Sequence, residues 1–196
     1  MKKYLAVAFA ATVLSFAGVS AVQTYTASAD LTVSSVEADY VVFNSLEEME
    51  KYAPIVVEAK FNGKRGLKEW KVGESVQKAS ETFVEIKKVH KGDVKKGQTL
   101  NVYEPAFTGD GLYQAIEGYN LMDEKGKYVL FLRPDMNGEG YVLVGMYQGK
   151  HDLNITEAAT QVNAHSFSEL EGKEYFGDMA GQFNKLKGEV VAKYGK

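Results

Sequence analysis

The stretch Glu81-Thr-Phe-Val-Glu-Ile-Lys-Lys-Val-His-Lys-Gly-Asp93 indicates the fold more clearly than any other part of the chain. From Thr82 to Lys87 its side chains alternate between two sets, with the period of two residues that is typical of a half-buried β-strand. Val89 breaks this parity, so we expect a β-bulge near Lys87-Lys88. Lys91-Gly92-Asp93 then predicts a turn at the end of the strand.

Further short strands are expected on both sides of this one. They are predicted at residues 55–61, 99–103, 128–132 and 141–147. The segment Tyr128-Val-Leu-Phe-Leu132 is apolar on both faces, which favours a central strand. Turns are expected at Asn62-Gly63, at Gly66 and at residues 135–140. The pattern predicts a mainly β fold, a small antiparallel barrel of five to six strands, because closing the sheet removes exposed strand edges.

Two helices are expected to flank the strands. Ser45-Leu-Glu-Glu48 has the spacing of a capping box and predicts a short N-terminal helix that Pro54 ends. Met179, Phe183, Leu186 and Val190 recur at helical spacing near the C-terminus, with Asp178 as a candidate cap. Residues 30–196 are therefore predicted to form a single β-barrel domain. We expect its core at about 38–150 and a C-terminal helical segment at about 155–194.

Residues 1–29 read as a secretory signal peptide. Lys2 and Lys3 give a basic start, an apolar stretch extends to about Val22, and the small residues Ala27-Ser28-Ala29 end it. This three-part pattern predicts cleavage between Ala29 and Asp30, and hence a secreted, extracellular protein. An earlier cut after Ala21 and retention as a membrane anchor are the alternatives.

Composition excludes several kinds of partner. The chain without residues 1–29 has 21 Lys and Arg against 26 Asp and Glu, a net charge of −5. A mildly acidic chain does not favour nucleic acid, which requires a basic face. No later segment is apolar for long enough to span a bilayer, so no membrane association is expected after cleavage. Cysteine is absent, so the core alone must hold an exported domain that lacks disulfides.

The order of strand and turn residues in the middle of the chain resembles that of a known class of barrel. The quoted strand ending in Lys-Gly-Asp93 is followed by Gly97-Gln-Thr-Leu-Asn-Val-Tyr103, by Gly126-Lys-Tyr-Val-Leu-Phe-Leu132 and by Gly140-Tyr-Val-Leu-Val-Gly145. This is similar to the OB-type barrel of netrin-like and tissue-inhibitor-of-metalloprotease-like domains, and to small uncharacterised exported proteins of Gram-positive bacteria. The resemblance covers roughly residues 54–150 and implies an OB-like fold. The metalloprotease inhibitors act through an N-terminal cysteine, which this chain lacks, so their mechanism is not carried over.

Known catalytic and metal-binding motifs are absent from the sequence. The three histidines, His90, His151 and His165, form no close-spaced metal pair, and there is no G-x-S-x-G elbow. Asp135-Met-Asn-Gly-Glu-Gly140 begins like a calcium loop but has Met146 where the bidentate glutamate is required, so we interpret it as a hairpin turn. We therefore expect no catalytic residue, no metal site and no cofactor.

Two Tyr-rich segments are the candidate ligand-binding regions, because aromatic rings beside carboxyl and amide groups suit sugars or peptides. The candidate residues are Tyr103, Glu104, Phe107, Tyr113, Tyr119, Tyr147, Gln148 and Lys150. The alternative is that these tyrosines only pack over the mouth of the barrel.

The sequence predicts a secreted, non-catalytic extracellular binding module whose partner is an extracellular protein or a cell-wall or sugar polymer. The alternatives are a secreted hydrolase with a dispersed active site and a self-associating matrix protein. The oligomeric state does not follow from the sequence.

Overall fold

The structure is a computed structural model and describes residues 31–196. The predicted signal peptide and its cleavage site, Ala29 and Asp30, lie outside the described residues. Along residues 31–196, neither helix combines the length and the apolar character that crossing a bilayer would need.

The fold is mainly β, with 42% of residues in strands and 18% in helices, as the sequence predicted. The strands are β1 (Thr32–Val36), β2 (Ile55–Val72), β3 (Ser75–Lys91), β4 (Thr99–Glu104), β5 (Ala106–Gly109), β6 (Leu112–Ile116), β7 (Tyr128–Pro134), β8 (Tyr141–Leu143) and β9 (Lys150–Asp152). The helices are α1 (Leu46–Tyr52) and α2 (Ala180–Tyr194).

The larger sheet has the order β2-β3-β4-β8-β7-β9, and an additional β2–β7 pairing makes it ring-like. Five strands thus form the ring, and β9 is attached to β7. The sequence predicted an antiparallel sheet, but the β4–β8 pair is parallel. The reason is geometric, since a ring with an odd number of strands cannot alternate direction at every pairing. The predicted central strand is confirmed, because β7 pairs with β2, β8 and β9.

The hairpin of β2 and β3 is longer than expected. The predicted turns at Asn62-Gly63 and Gly66 are wrong, because β2 continues through them with only a register shift between Phe61 and Arg65. The chain reverses at Gly73 instead, which takes a φ of 63° that glycine adopts without strain. The predicted bulge is confirmed, since Glu58 and Ala59 pair with Lys88 and Ile86 and skip Lys87.

A second, three-stranded sheet has the order β1-β6-β5. The sequence predicted no strand before residue 55 or between residues 103 and 128, yet these parts of the chain contribute β1 and the β5–β6 hairpin. That hairpin turns at Asp110 and Gly111, with φ values of 50° and 75°. β1 lies parallel to β6, with Thr32 opposite Leu112.

Both helices are present, and together they cover the outer face of β2 and β7. Ser45 caps α1 by accepting a hydrogen bond from the Glu48 amide. In α2 the cap position is Met179 rather than Asp178. Within the predicted helical segment 155–194, only α2 and a single 3₁₀ turn at Phe167–Leu170 are helical. The short apolar core between the helices and the sheet includes Met49, Val56, Phe131, Val190 and Tyr194.

Candidate functional site

The structure places seven of the eight predicted ligand-binding residues in the interior. Tyr103, Glu104, Tyr113, Tyr119, Tyr147, Gln148 and Lys150 are buried, and Phe107 is partly exposed. Strand pairing directs Glu104 on β4, Tyr113 on β6 and Lys150 on β9 toward the core, and the 3₁₀ turn Met146–Gly149 buries Tyr147 and Gln148. Glu104, Tyr113, Tyr119 and Lys150 are brought together in an internal polar and aromatic layer that a polymer cannot reach. Tyr103 packs against Trp70 instead, and Gln148 accepts a hydrogen bond from the Phe43 amide.

Glu104 is the centre of this layer. Its fully buried carboxylate accepts hydrogen bonds from Arg65 Nη2 at 3.0 Å, from the Tyr119 hydroxyl at 2.7 Å and from the Met122 amide at 2.8 Å. The Thr82 hydroxyl also donates to it. A buried carboxylate needs such partners to remain charged, so Glu104 links β2, β3 and β4 and serves the fold.

Lys150 crosses the interior from β9. Its ammonium group donates to the Asn120 backbone carbonyl and lies 4.4 Å from the centre of the Tyr119 ring. Burial lowers the pKa of Lys150, and the nearby carboxylates of Glu174 and Glu104 oppose that shift. Lys150 is only 2% exposed, so a ligand that approaches from solvent cannot contact it.

His151 follows Lys150 on β9 and is fully buried. Its ring stacks on Phe183 with centroids 5.3 Å apart, and Nε2 lies 2.8 Å from the Gln148 carbonyl oxygen. Burial lowers the pKa of His151 to about 3, assisted by the positive charge of Lys187. The Nδ1 atom has no hydrogen-bond partner. The ring is therefore neutral at physiological pH, with its proton on Nε2 facing the carbonyl oxygen.

A cleft of about 390 Å³ opens beside β1 and is the candidate functional site. β1 forms one wall, residues 161–165 form the opposite wall, and Phe176–Asp178 and Glu117-Gly118 close it. The Gly118 backbone approaches Gly177 so closely that a Cβ at 118 would lie 2.1 Å from the Gly177 nitrogen. This close contact between two glycines sets the position of the closing wall.

Three carboxylates, Glu37, Glu117 and Asp178, line the cleft, and its lining includes no lysine or arginine. Oε1 of Glu117 accepts a hydrogen bond from the Ala38 amide at 2.6 Å. The other two carboxylates are exposed and make no hydrogen bond or ion pair within residues 31–196. The cleft therefore carries an uncompensated negative charge, which favours a cationic ligand.

Tyr40 connects this cleft to the predicted site residues. Its hydroxyl lies 3.5 Å from Oε2 of Glu117 and 3.4 Å from the hydroxyl of Tyr147, to which it donates. Burial raises the pKa of Tyr40, and the charges of Glu117 and Asp178 raise it further. Tyr40 thus links Tyr147, one of the predicted ligand residues, to the cleft, although Tyr147 lies behind Tyr40 and is not part of the lining. The sequence did not reveal the cleft, because no strand was predicted at the position of β1.

A second concavity of about 670 Å³ is less suited to a charged ligand. Its lining has four lysines against two glutamates, but each lysine is already bonded to another group. Lys193 pairs with Glu50 at 2.7 Å and Lys51 pairs with Glu47 at 2.8 Å, whereas Lys88 pairs with Glu58 at 3.5 Å. Lys91 donates to the Glu50 backbone carbonyl at 2.6 Å. A ligand would have to displace these pairs before it could bind.

In the described part of the chain, the cleft holds neither a metal-binding cluster nor a serine hydroxyl bonded to a histidine. Within residues 31–196 no cluster of three His, Asp or Glu side chains is placed to hold a metal ion. Ser35 and His165 both line the 390 Å³ cleft, but the Ser35 hydroxyl accepts from the Gly118 amide rather than bonding to the imidazole.

No family model, curated protein or solved structure matches this chain.

Proposed function

We propose that the protein is an exported, non-catalytic binding module that holds its ligand in the cleft beside β1. The observation that carries this proposal is the lining of the cleft, in which Glu37, Glu117 and Asp178 are not balanced by any lysine or arginine. A concave surface with one sign of charge raises the local concentration of an oppositely charged partner. Val33 and Phe176 add apolar area beside these charges, as ligand sites commonly do.

The OB-type resemblance is part of the same proposal. The ring of five strands has the strand count of an OB-type barrel, in which loops and one face of the sheet bind the ligand. In this chain the ligand would lie beside the smaller sheet instead, since the inward faces of the ring are filled by side chains such as Tyr113 and Tyr119. A shared fold does not by itself imply the netrin-like or inhibitor-like function.

The test uses the protein produced with its own export segment and a C-terminal affinity tag. It is incubated with spent culture medium and with cell-wall fragments, and the retained material is quantified. The cleft variant carries Glu37→Gln and Asp178→Asn, because the side chains of Glu37 and Asp178 make no hydrogen bonds within residues 31–196. The control variant carries Glu74→Gln and Asp93→Asn, which change the net charge equally on exposed residues outside the cleft.

We expect wild type and control to retain the same ligand and the cleft variant to lose about tenfold or more of it, because two favourable charge interactions are removed. Equal retention by the cleft variant and the control, or no saturable ligand for wild type, would contradict the proposal. The earlier candidates Tyr113 and Tyr147 are unsuitable for this test, because their truncation would empty the core.

A further inference from the structure

Among the described residues, 31–196, no strand pairs with one edge of β1 along most of its length. The Thr32 amide donates to Gly111 and the Val36 carbonyl accepts from Glu117, so these even-numbered residues direct their backbone groups toward β6. In a parallel ladder the alternate residues direct their amides and carbonyls to the opposite edge. The backbone groups of Val33 and Ser35 therefore lie on the edge that faces the cleft.

Pairing on that edge stops after two bonds, of which the first is donated by the Phe167 amide to the Leu31 carbonyl at 2.9 Å. Val33 donates to the His165 carbonyl at 3.2 Å beside the isolated Thr32–Ser166 bridge. An antiparallel pairing would continue with the His165 amide donating back to Val33. That amide instead donates to Oε1 of Glu169 at 3.3 Å. Among residues 31–196, no backbone hydrogen bond extends the pairing to Ser35.

The free edge and the negative charge lie in the same cleft. Val33, Ser35, Val36 and Glu37 all line it. The edge therefore offers the Val33 carbonyl and the amide and carbonyl of Ser35 to a ligand. An exposed edge of this kind is a template for another extended chain, because each added strand satisfies backbone groups on both sides.

We infer that the ligand is an extended peptide with basic side chains, which adds as a strand to the free edge of β1. This inference rests on the proposed function and names its ligand class. The peptide backbone pairs with Val33 and Ser35, and alternate side chains of the peptide point toward Glu37, Glu117 and Asp178. The free edge from Val33 to Glu37 spans roughly 13 Å at the rise of a β-strand, so four or five peptide residues make the contact.

The charge of the cleft selects the basic side chains. A carboxylate pairs with lysine or arginine and repels an acidic side chain. A neutral polymer such as a glycan would use the hydroxyl and amide groups of the cleft but would leave both the carboxylates and the strand edge without their best partners. The peptide satisfies both sets of groups at once.

The experiment measures binding of fluorescein-labelled synthetic peptides by anisotropy. The reference peptide is six residues of alternating lysine and valine, and the comparison peptide replaces each lysine by glutamate. Two further Lys-Val peptides carry backbone N-methyl groups, one on the odd residues and one on the even residues. Because only one set of amides faces β1, one N-methylated peptide should bind about tenfold or more weakly and the other within about twofold of the reference.

The acidic peptide should bind about tenfold or more weakly than the reference, and raising the salt concentration should weaken the reference peptide. The Glu37→Gln and Asp178→Asn variant should reduce binding of the reference peptide, whereas the Glu74→Gln and Asp93→Asn control should not. Equal effects of the two N-methylation patterns, or equal binding of the acidic and basic peptides, would overturn the inference.

The outcomes also separate this inference from the proposed function. If the cleft variant loses a ligand from culture medium or wall fragments while the synthetic peptides show no N-methylation pattern, the cleft binds something other than an added strand. In that case the proposed function stands and the peptide inference fails. If neither the natural material nor the peptides depend on the cleft, both fail.

Discussion

Acidification should lower the free energy of unfolding less in a His151→Gln variant than in the wild type. His151 is fully buried, stacks on Phe183 and directs Nε2 to the Gln148 carbonyl. The folded protein therefore holds the imidazole neutral, and burial lowers its pKa to about 3. In the unfolded chain the imidazole is exposed and titrates near its ordinary value of about 6.5.

The magnitude follows from the difference between these two pKa values. Between them the unfolded chain binds one proton that the folded protein does not bind, so acidification favours unfolding. The free energy of unfolding falls by about 1.4 kcal/mol for each pH unit in this range. From pH 7 to pH 5 the contribution of His151 is a loss of about 2 kcal/mol.

The assay is urea unfolding at pH 7 and pH 5 for the wild type, the His151→Gln variant and a His165→Gln control. His165 is exposed, so its replacement removes a histidine without emptying the core. Glutamine at 151 can still donate a hydrogen bond to the Gln148 carbonyl, but it does not titrate. The readout is the change in the free energy of unfolding between pH 7 and pH 5 in each protein. A constant loss of stability from the substitution cancels in this change. The contributions of the other titrating groups cancel when the proteins are compared.

We expect the wild type and the His165→Gln control to lose similar amounts of stability between pH 7 and pH 5. The His151→Gln variant should lose about 2 kcal/mol less than either. An equal pH dependence of all three proteins would refute the argument, because it would mean that His151 titrates in the folded protein much as it does in the unfolded chain.

Three further predictions concern the interior and its packing. Glu104→Gln should lower the free energy of unfolding by about 3–5 kcal/mol, because the partly buried Arg65 guanidinium then loses its buried carboxylate partner. A loss below about 1 kcal/mol in urea unfolding would contradict this. Gly118→Ala should prevent stable folding, because the added Cβ would clash with Gly177. Gly97 also has a positive φ of 82°, but the space around it is open, so Gly97→Ala should lower the free energy of unfolding by only about 1–2 kcal/mol. Similar melting temperatures for the two variants would argue against the close contact. Tyr113→Phe should lose about 1–3 kcal/mol, because the hydroxyl donates to Asn120 and accepts from the Leu121 amide; an unchanged urea midpoint would show that water replaces it.

The strands that the sequence predicted are those in which one face packs on the core and the other meets solvent or a helix. Val84 and Ile86 on β3 are buried and point inward, and the polar residues between them are more exposed. The bulge at Lys87 could be predicted because Val89 must return to the core side after the parity break. Both helices could be predicted because the Ser45 cap and the α2 stripe are local patterns.

The parts that could not be predicted depend on contacts between distant segments. β1 has mostly exposed side chains, so its sequence shows no alternation, and it is a strand only because β6 pairs with it. Asn62-Gly63 is typical of a turn, yet pairing with β3 resumes at Arg65 and the long hairpin continues. Tertiary pairing therefore outweighs local turn preference at this position.

The candidate site shows the same limit. Tyr-rich segments suggested a binding surface, but a tyrosine hydroxyl can equally be satisfied inside the protein, as Tyr119 is by Glu104. The cleft is assembled by Glu37, Glu117 and Asp178, which come from three distant parts of the chain. No spacing in the sequence links them. They are brought together by the pairing of β1 with β6, by the Tyr119–Tyr175 bridge and by the contact of Gly118 with Gly177.

Hydrogen exchange at the Ser35 amide, followed by NMR with and without the alternating Lys-Val peptide, tests strand addition at β1 most directly. We expect this amide to exchange rapidly in the free protein and at least about tenfold more slowly with saturating peptide, while the Thr32 amide, already bonded to Gly111, changes little. If the peptide binds while Ser35 exchanges at an unchanged rate, then the ligand does not pair with the edge of β1.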